Sequence, residues 1–132
     1  MRVSLDTNVL VSAFTTRGIC ADVLAVVLAE HELVLGERIL AELSRVLREK
    51  MRMPEDSVVE ADAFLRHEAT VISTGATVDV PIRDPDDLEV LAQAVEGLVD
   101  LLVTGDRDLL DVADRLPVEV LSPRGFWEKL HE

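Results

Sequence analysis

Val3-Ser4-Leu5-Asp6-Thr7-Asn8-Val9-Leu10, close to the start of the chain, changes character halfway along. Val3 to Leu5 is a short apolar run of strand type. Asp6, Thr7 and Asn8 then offer three successive N-cap residues ahead of the apolar Val9, Leu10, Val11, Ala13 and Phe14. A strand therefore runs straight into a helix. In an open α/β sheet such a junction lies at the carboxyl edge of the strands, where ligands bind, so a carboxylate at Asp6 is well placed for chemistry. A capping role alone would also account for Asp6. Asp84, Asp86, Asp87, Asp106 and Asp108 fall at similar junctions, however, and one cap does not explain the set.

The alternation continues outward from this junction. Residues 32–35, 69–72, 98–103 and 118–121 read as further strands, and residues 21–30, 37–50 and 54–67 carry helical apolar spacing. Asp84 and Pro85 open another helix as N-cap and first helical residue, with Leu88, Leu91, Ala92 and Val95 as its buried stripe. Leu109, Leu110, Val112, Ala113 and Leu116 carry a helix that Pro117 ends, and Ser122-Pro123 starts a last one with Phe126, Trp127 and Leu130 on its apolar side. Strands alternating with helices predict an α/β domain over residues 1–132, with a mainly parallel five-stranded sheet and right-handed crossovers.

Composition agrees with that layout. Hydrophobic residues make up 48% of the 132 and aromatics only 3%, so the core is built from Val, Leu, Ile and Ala, as buried parallel sheets are. Cys20 is alone among apolar neighbours, which reads as a free, buried thiol in a reducing compartment. No apolar run approaches the ~20 residues that span a bilayer, and the first residues lack a signal-peptide layout. The expectation is a cytoplasmic protein without a membrane partner. Against 26 acidic residues stand 13 basic ones, a formal charge of −13 that repels a polyanion at long range. Divalent cations would cancel part of that charge where it is densest, and five of the basic residues crowd into positions 38–52.

The helix over 37–50 carries its stripe on Ile39, Leu40, Leu43, Val46 and Leu47, with Glu42 on the shoulder. Arg38, Arg45, Arg48 and Arg52 project from the next sector, as a path for an RNA backbone or as a solvated face of Glu–Arg pairs. In the parallel layout Asp6 and Asp106 follow strands, while Glu42 and Asp87 sit in the opening turns of helices that descend from the same edge. Four carboxylates meeting there repel and raise one another's pKa unless a cation neutralises them. Mg²⁺ or Mn²⁺ suits an all-oxygen set, whereas zinc wants His and Cys. His31, His67 and His131 lie outside every junction. Carboxylates holding such ions activate water and stabilise both oxygens of a phosphodiester displacement, so the set points to metal-assisted phosphodiester hydrolysis.

Leu5-Asp6-Thr7-Asn8-Val9-Leu10, Ile39-Leu40-Ala41-Glu42-Leu43, Arg83-Asp84-Pro85-Asp86-Asp87 and Val103-Thr104-Gly105-Asp106-Arg107-Asp108-Leu109-Leu110, closed by Leu121-Ser122-Pro123-Arg124-Gly125-Phe126, together resemble PIN-domain proteins. Within that family the chain is most similar to the VapC-like toxin components of prokaryotic toxin–antitoxin pairs. The resemblance implies a three-layer α/β/α sandwich with sheet order 3-2-1-4-5, and a Mg²⁺- or Mn²⁺-dependent ribonuclease. It implies that Asp6, Glu42, Asp87 and Asp106 form the acidic quartet that binds metal and activates water. Asn8 and Thr104 match its orienting polar residues, and Asp108 an additional acid of the metal site. Asp84 falls outside the quartet, in keeping with a cap. Gly36-Glu37 departs from the short polar residue often found before the second acid's helix. Toxin-type members commonly form homodimers and are inhibited by a small antitoxin that places a basic side chain among the acids, a partner that an acidic chain suits.

Two other readings use the same residues. A Rossmann-like phosphatase with an Asp nucleophile after the first strand usually needs a second Asp two residues on, where this chain has Asn8. A non-catalytic module would keep the fold and acids only to bind metal or a partner, and loss of metal-dependent RNA cleavage in Asp6→Asn would exclude it.

Overall fold

The computed structural model describes residues 1–132. β1 (Arg2–Leu5), β2 (Glu32–Gly36), β3 (Thr70–Ile72), β4 (Leu101–Val103) and β5 (Glu119–Leu121) form one sheet in the order β3-β2-β1-β4-β5, every pair parallel. From β1 the chain steps one way to β2 and β3, then returns to β4 on the other side. The strand order thus reverses between β1 and β4, which opens a crevice beyond their carboxyl ends. Leu5 lies opposite Val103 in the register, so the residues that follow them, Asp6 and Thr104, emerge abreast at that edge.

α1 (Thr7–Thr15) and α2 (Ile19–Glu30) link β1 to β2, α3 (Glu37–Glu49) and α4 (Glu55–Glu68) link β2 to β3, and α5 (Pro85–Glu96) leads to β4. α6 (Arg107–Leu110) follows β4, and α7 (Pro123–Leu130) closes the chain. α1 packs on α2 and α3, α2 on α7, and α5 against β2 and β3. The two-residue period of β2 sorts its side chains between layers. Leu33 and Leu35 enter the main core, while Val34 packs with Ala94 and Val99 under α5. Val3, Leu5 and Leu101 to Val103 are fully buried, as the middle of a sheet covered on both faces requires. No single helix is long and apolar enough to cross a membrane.

Four elements differ in detail from their sequence reading. β4 begins only at Leu101, because Leu98 takes a left-handed conformation (φ 54°) and ends α5. Leu98 N–H donates to Val95 O and Val99 N–H to Ala94 O, both at 3.0 Å, the pair of bonds of a Schellman motif. The expected helix over residues 109–116 breaks into α6 and a 3₁₀ turn, Ala113–Arg115, since the short path back to β5 tightens its bonds and Leu116 precedes a proline. α5 buries Val90, Leu91, Gln93 and Ala94, a face rotated from the Leu88–Leu91–Val95 stripe, because it touches both α3 and the sheet. On α4, whose apolar spacing in the sequence rests on Val58, Val59, Ala63, Phe64 and Leu65, the buried residues are Val58, Ala61 and Leu65, while Val59 and Phe64 face out. Cys20 is free as expected but only half-buried.

Gly36 explains the departure noted before α3. As N-cap it offers no side chain, and Gln93 of α5 supplies the missing acceptor, its Oε1 taking Arg38 N–H at 3.0 Å. A Cβ on residue 36 would collide with that Oε1. Glycine is what admits the cap from another helix.

Candidate active site

Asp6 is built in by both of its neighbours. It is the N-cap of α1, and one carboxylate oxygen accepts Thr7 N–H at 2.8 Å. The other accepts the Thr104 hydroxyl at 2.7 Å and, more weakly, Asn8 Nδ2 at 3.4 Å. Only 7% of Asp6 is exposed, and this burial raises its pKa above the usual carboxylate value against the lowering effect of the hydrogen bonds. Asn8 spans the crevice, its Oδ1 accepting Gly105 N–H at 2.8 Å. Thr104, fully buried, also accepts Asp106 N–H at 3.0 Å. Asp6, Asn8, Thr104 and Asp106 are thus tied into one unit across β1 and β4.

Asp106 caps α6 and Asp84 caps α5, each through the N–H two residues on. Asp87, in the first turn of α5, has its pKa pushed up to about 7, first by burial and then by the negative charges of Asp106, Asp84, Asp6 and Asp108. Glu42 enters from α3. Asp6, Glu42, Asp87 and Asp106 line one cleft of about 460 Å³, together with residues of α1 and the far part of α3.

The other sequence candidates divide. Asp108 does not line that cleft; it borders an adjoining hollow with Arg83, Asp84 and Asp87. Arg38 does not line the cleft either, but it pairs with Asp86 at 3.0 Å and more loosely with the cleft's Glu42 at 3.9 Å. Arg45 is held by Glu49 and Arg48 by Glu55, and Arg48 borders a separate hollow between α3 and α4. Arg52 lies past the end of α3 with a left-handed backbone, outside the cleft. None of these three arginines lines the acidic cleft: at ~100° per residue Arg45 and Arg48 stand about 60° and 120° from Glu42 on the side away from Val46, and Arg52 lies beyond the helix. The basic residue that does line it, Lys50, was not singled out from the sequence; its signal was the spacing of two i+4 steps from Glu42 through Val46.

The donor set is all oxygen, with no His or Cys in the cleft, and the charge of Asp106 helps to raise the pKa of Asp6 and of Asp87, so its chemistry fits a hard divalent cation. The four carboxylates line the cleft without forming a tight preformed cage.

The PIN domain family model matches residues 2–108. No curated protein matches the sequence. Among solved structures, VapBC2 from Rickettsia felis, bound to a DNA fragment from their promoter, is similar with TM-score 0.65 at 18% identity, over 92% of this chain and 98% of that one. VapBC-1 from nontypeable Haemophilus influenzae is similar with TM-score 0.64 at 16% identity, over 94% of this chain and 99% of that one. At these identities the likeness speaks for the fold. With its sheet order, its acidic crevice at the strand reversal and the match over residues 2–108, this chain belongs to the PIN-domain family.

Proposed function

We propose that this chain is a Mg²⁺- or Mn²⁺-dependent ribonuclease and the toxin half of a toxin–antitoxin pair. The observation that carries the reading is the convergence of Asp6, Glu42, Asp87 and Asp106, from four separate elements, on one cleft. Those four residues would hold the cation. Bound there, it supplies charge neutralisation and Lewis acidity toward water and a phosphodiester.

The chain's own groups do the rest. Thr104 and the Thr7 N–H fix both oxygens of Asp6, so its carboxylate needs little reorganisation. Asn8 and Gly105 hold the β1 and β4 junctions at constant separation. Without the cation, burial and the neighbouring carboxylates push the Asp87 pKa up to about 7, so binding of the cation would displace a proton from its carboxyl group.

The toxin reading draws on likeness of fold to two VapBC structures and on the charge of −13, which favours a basic partner. We extend it to a homodimer, which light scattering of the purified protein tests by mass. The nuclease is tested on mixed single-stranded RNA with Mg²⁺ or Mn²⁺, then with EDTA, beside Asp6→Asn and Asp87→Asn. Cleavage abolished by chelation and by both substitutions is the expected outcome. Ion binding without cleavage by the wild type would overturn it in favour of a binding module.

A further inference from the structure

The acidic cleft does not end at the acids. Along α3 it runs from Glu42 past Val46 to Lys50, and along α1 it is walled by Ser12, Thr15 and Thr16. Glu42 and Lys50 are eight residues apart, about 12 Å along the helix axis at ~1.5 Å per residue and ~80° round it, with Val46 midway. An extended nucleic-acid strand covers that distance in a nucleotide step or two.

Lys50 is the only basic residue lining the cleft. It takes part in none of the chain's ion pairs, although acids outnumber bases two to one and its helix neighbours Arg45 and Arg48 are both paired. On the wall opposite, Ser12, Thr15 and Thr16 have their hydroxyl protons engaged within α1. Thr15 Oγ1 donates to Val11 O at 2.7 Å and Thr16 Oγ1 to Ser12 O at 2.8 Å, which leaves the Ser12 hydroxyl to donate to Thr16 Oγ1 at 3.2 Å. With their protons committed, these hydroxyls present lone pairs, which repel phosphate oxygens and accept from a ribose 2′-OH. A phosphate entering this end of the cleft has one cationic partner, the Lys50 ammonium.

We infer that Lys50 is a positioning residue that binds a backbone phosphate of the RNA away from the scissile bond and so sets the strand's path across the four carboxylates. The inference rests on the ribonuclease reading above. A plainer role exists for Lys50, since a cation at the C-terminal end of α3 favours the helix dipole. The two roles differ in their salt dependence. A phosphate contact releases counterions, so its loss lowers the slope of log affinity against log salt by about 0.7 for a single strand. A dipole contact alters stability and leaves that slope alone.

The test is anisotropy binding of a fluorescein-labelled short single-stranded RNA, titrated with KCl with Ca²⁺ in place of Mg²⁺ so that the strand stays whole, Mg²⁺ being added afterwards to read cleavage. Wild type, Lys50→Ala, Lys50→Arg and Arg115→Ala are compared, the last removing one equal charge beside a remote hollow near the C-terminal end of α5. The expected result is several-fold weaker binding and a slope lower by about 0.7 for Lys50→Ala, with Lys50→Arg and Arg115→Ala like wild type. A slope unchanged in Lys50→Ala, or changed equally in Arg115→Ala, overturns the assignment, as does a wild type that binds no RNA. Cleavage on the same samples separates the two readings. RNA cut normally by Lys50→Ala with its salt slope unchanged keeps the nuclease and removes the subsite, whereas Lys50-dependent binding without metal-dependent cutting does the reverse.

Discussion

Thr104 Oγ1 holds two acids at once, donating to Asp6 and accepting the Asp106 N–H. Thr104→Val keeps the shape and removes both bonds, which leaves a buried carboxylate short of a donor. Charge-assisted bonds of this kind are worth about 1.5–3 kcal/mol. The folded state is expected to lose that much at neutral pH by urea unfolding, and the pH of half-maximal cleavage to move to higher pH as Asp6 becomes harder to ionise. Asp87 gives a second prediction, with the sign fixed by linkage. Its pKa is raised from 3.8 in a free chain to about 7 in the fold, so between those values the folded protein holds a proton that the unfolded chain has released. In metal-free protein the contribution of Asp87 to stability is therefore fully present below about pH 4 and is lost as the pH rises to about 7. Asp87→Asn removes the titration; melting curves at pH 5 and pH 8 in EDTA should show it stabilised at pH 8, by on the order of 1 kcal/mol, while cleavage is lost. A wild-type melting temperature that rises across this range would contradict the crowding of carboxylates inferred for the cleft.

Two helix ends carry predictions of their own. The start of α3, which places Glu42, depends on a side chain from α5. Gln93→Ala should cost about 1 kcal/mol, the usual worth of an N-cap, seen as a lower urea midpoint at unchanged slope. Gly36→Ala should cost about 1–3 kcal/mol through overpacking, because the new methyl meets both Oε1 and Cβ of Gln93. At the end of α5 glycine stands one position before the left-handed residue. Gly97 is required for packing, since a Cβ there would lie 2.9 Å from Val34 Cγ1 and from Ile72 Cγ1, while the strained backbone falls to Leu98, 76% exposed. Leu98→Gly relieves a left-handed conformation worth about 1–2 kcal/mol for an L-residue. Allowing for the extra freedom of glycine in the unfolded chain, a gain of roughly 0.5–1 kcal/mol is expected from thermal or urea unfolding.

Over the whole molecule, 26 acids against 13 bases make the fold repel itself, most strongly around the crevice. KCl should raise the melting temperature of metal-free protein by screening. Mg²⁺ at the same ionic strength should raise it further and in proportion to the logarithm of its excess over the dissociation constant, and Asp6→Asn should lose the Mg²⁺ increment alone. At this scale the division between sequence and structure is clear. The sequence by itself determined the alternation of strand and helix, the caps at Asp6 and Asp84, and which acids stand at strand ends. These are local matters of side-chain period and N-cap chemistry, legible wherever neighbours in the chain are also neighbours in space. Sheet order and the quartet's roles came through resemblance to a family. Only the tertiary structure decided that Gln93 caps α3 through the gap left by Gly36, that α5 turns Val90 and Ala94 inward, that Asp108 lies beside the cleft, and that Lys50 lines it in place of Arg45, Arg48 and Arg52. Each depends on how one helix is rotated against another, and that rotation is set by packing between residues far apart in the chain, which no local pattern encodes.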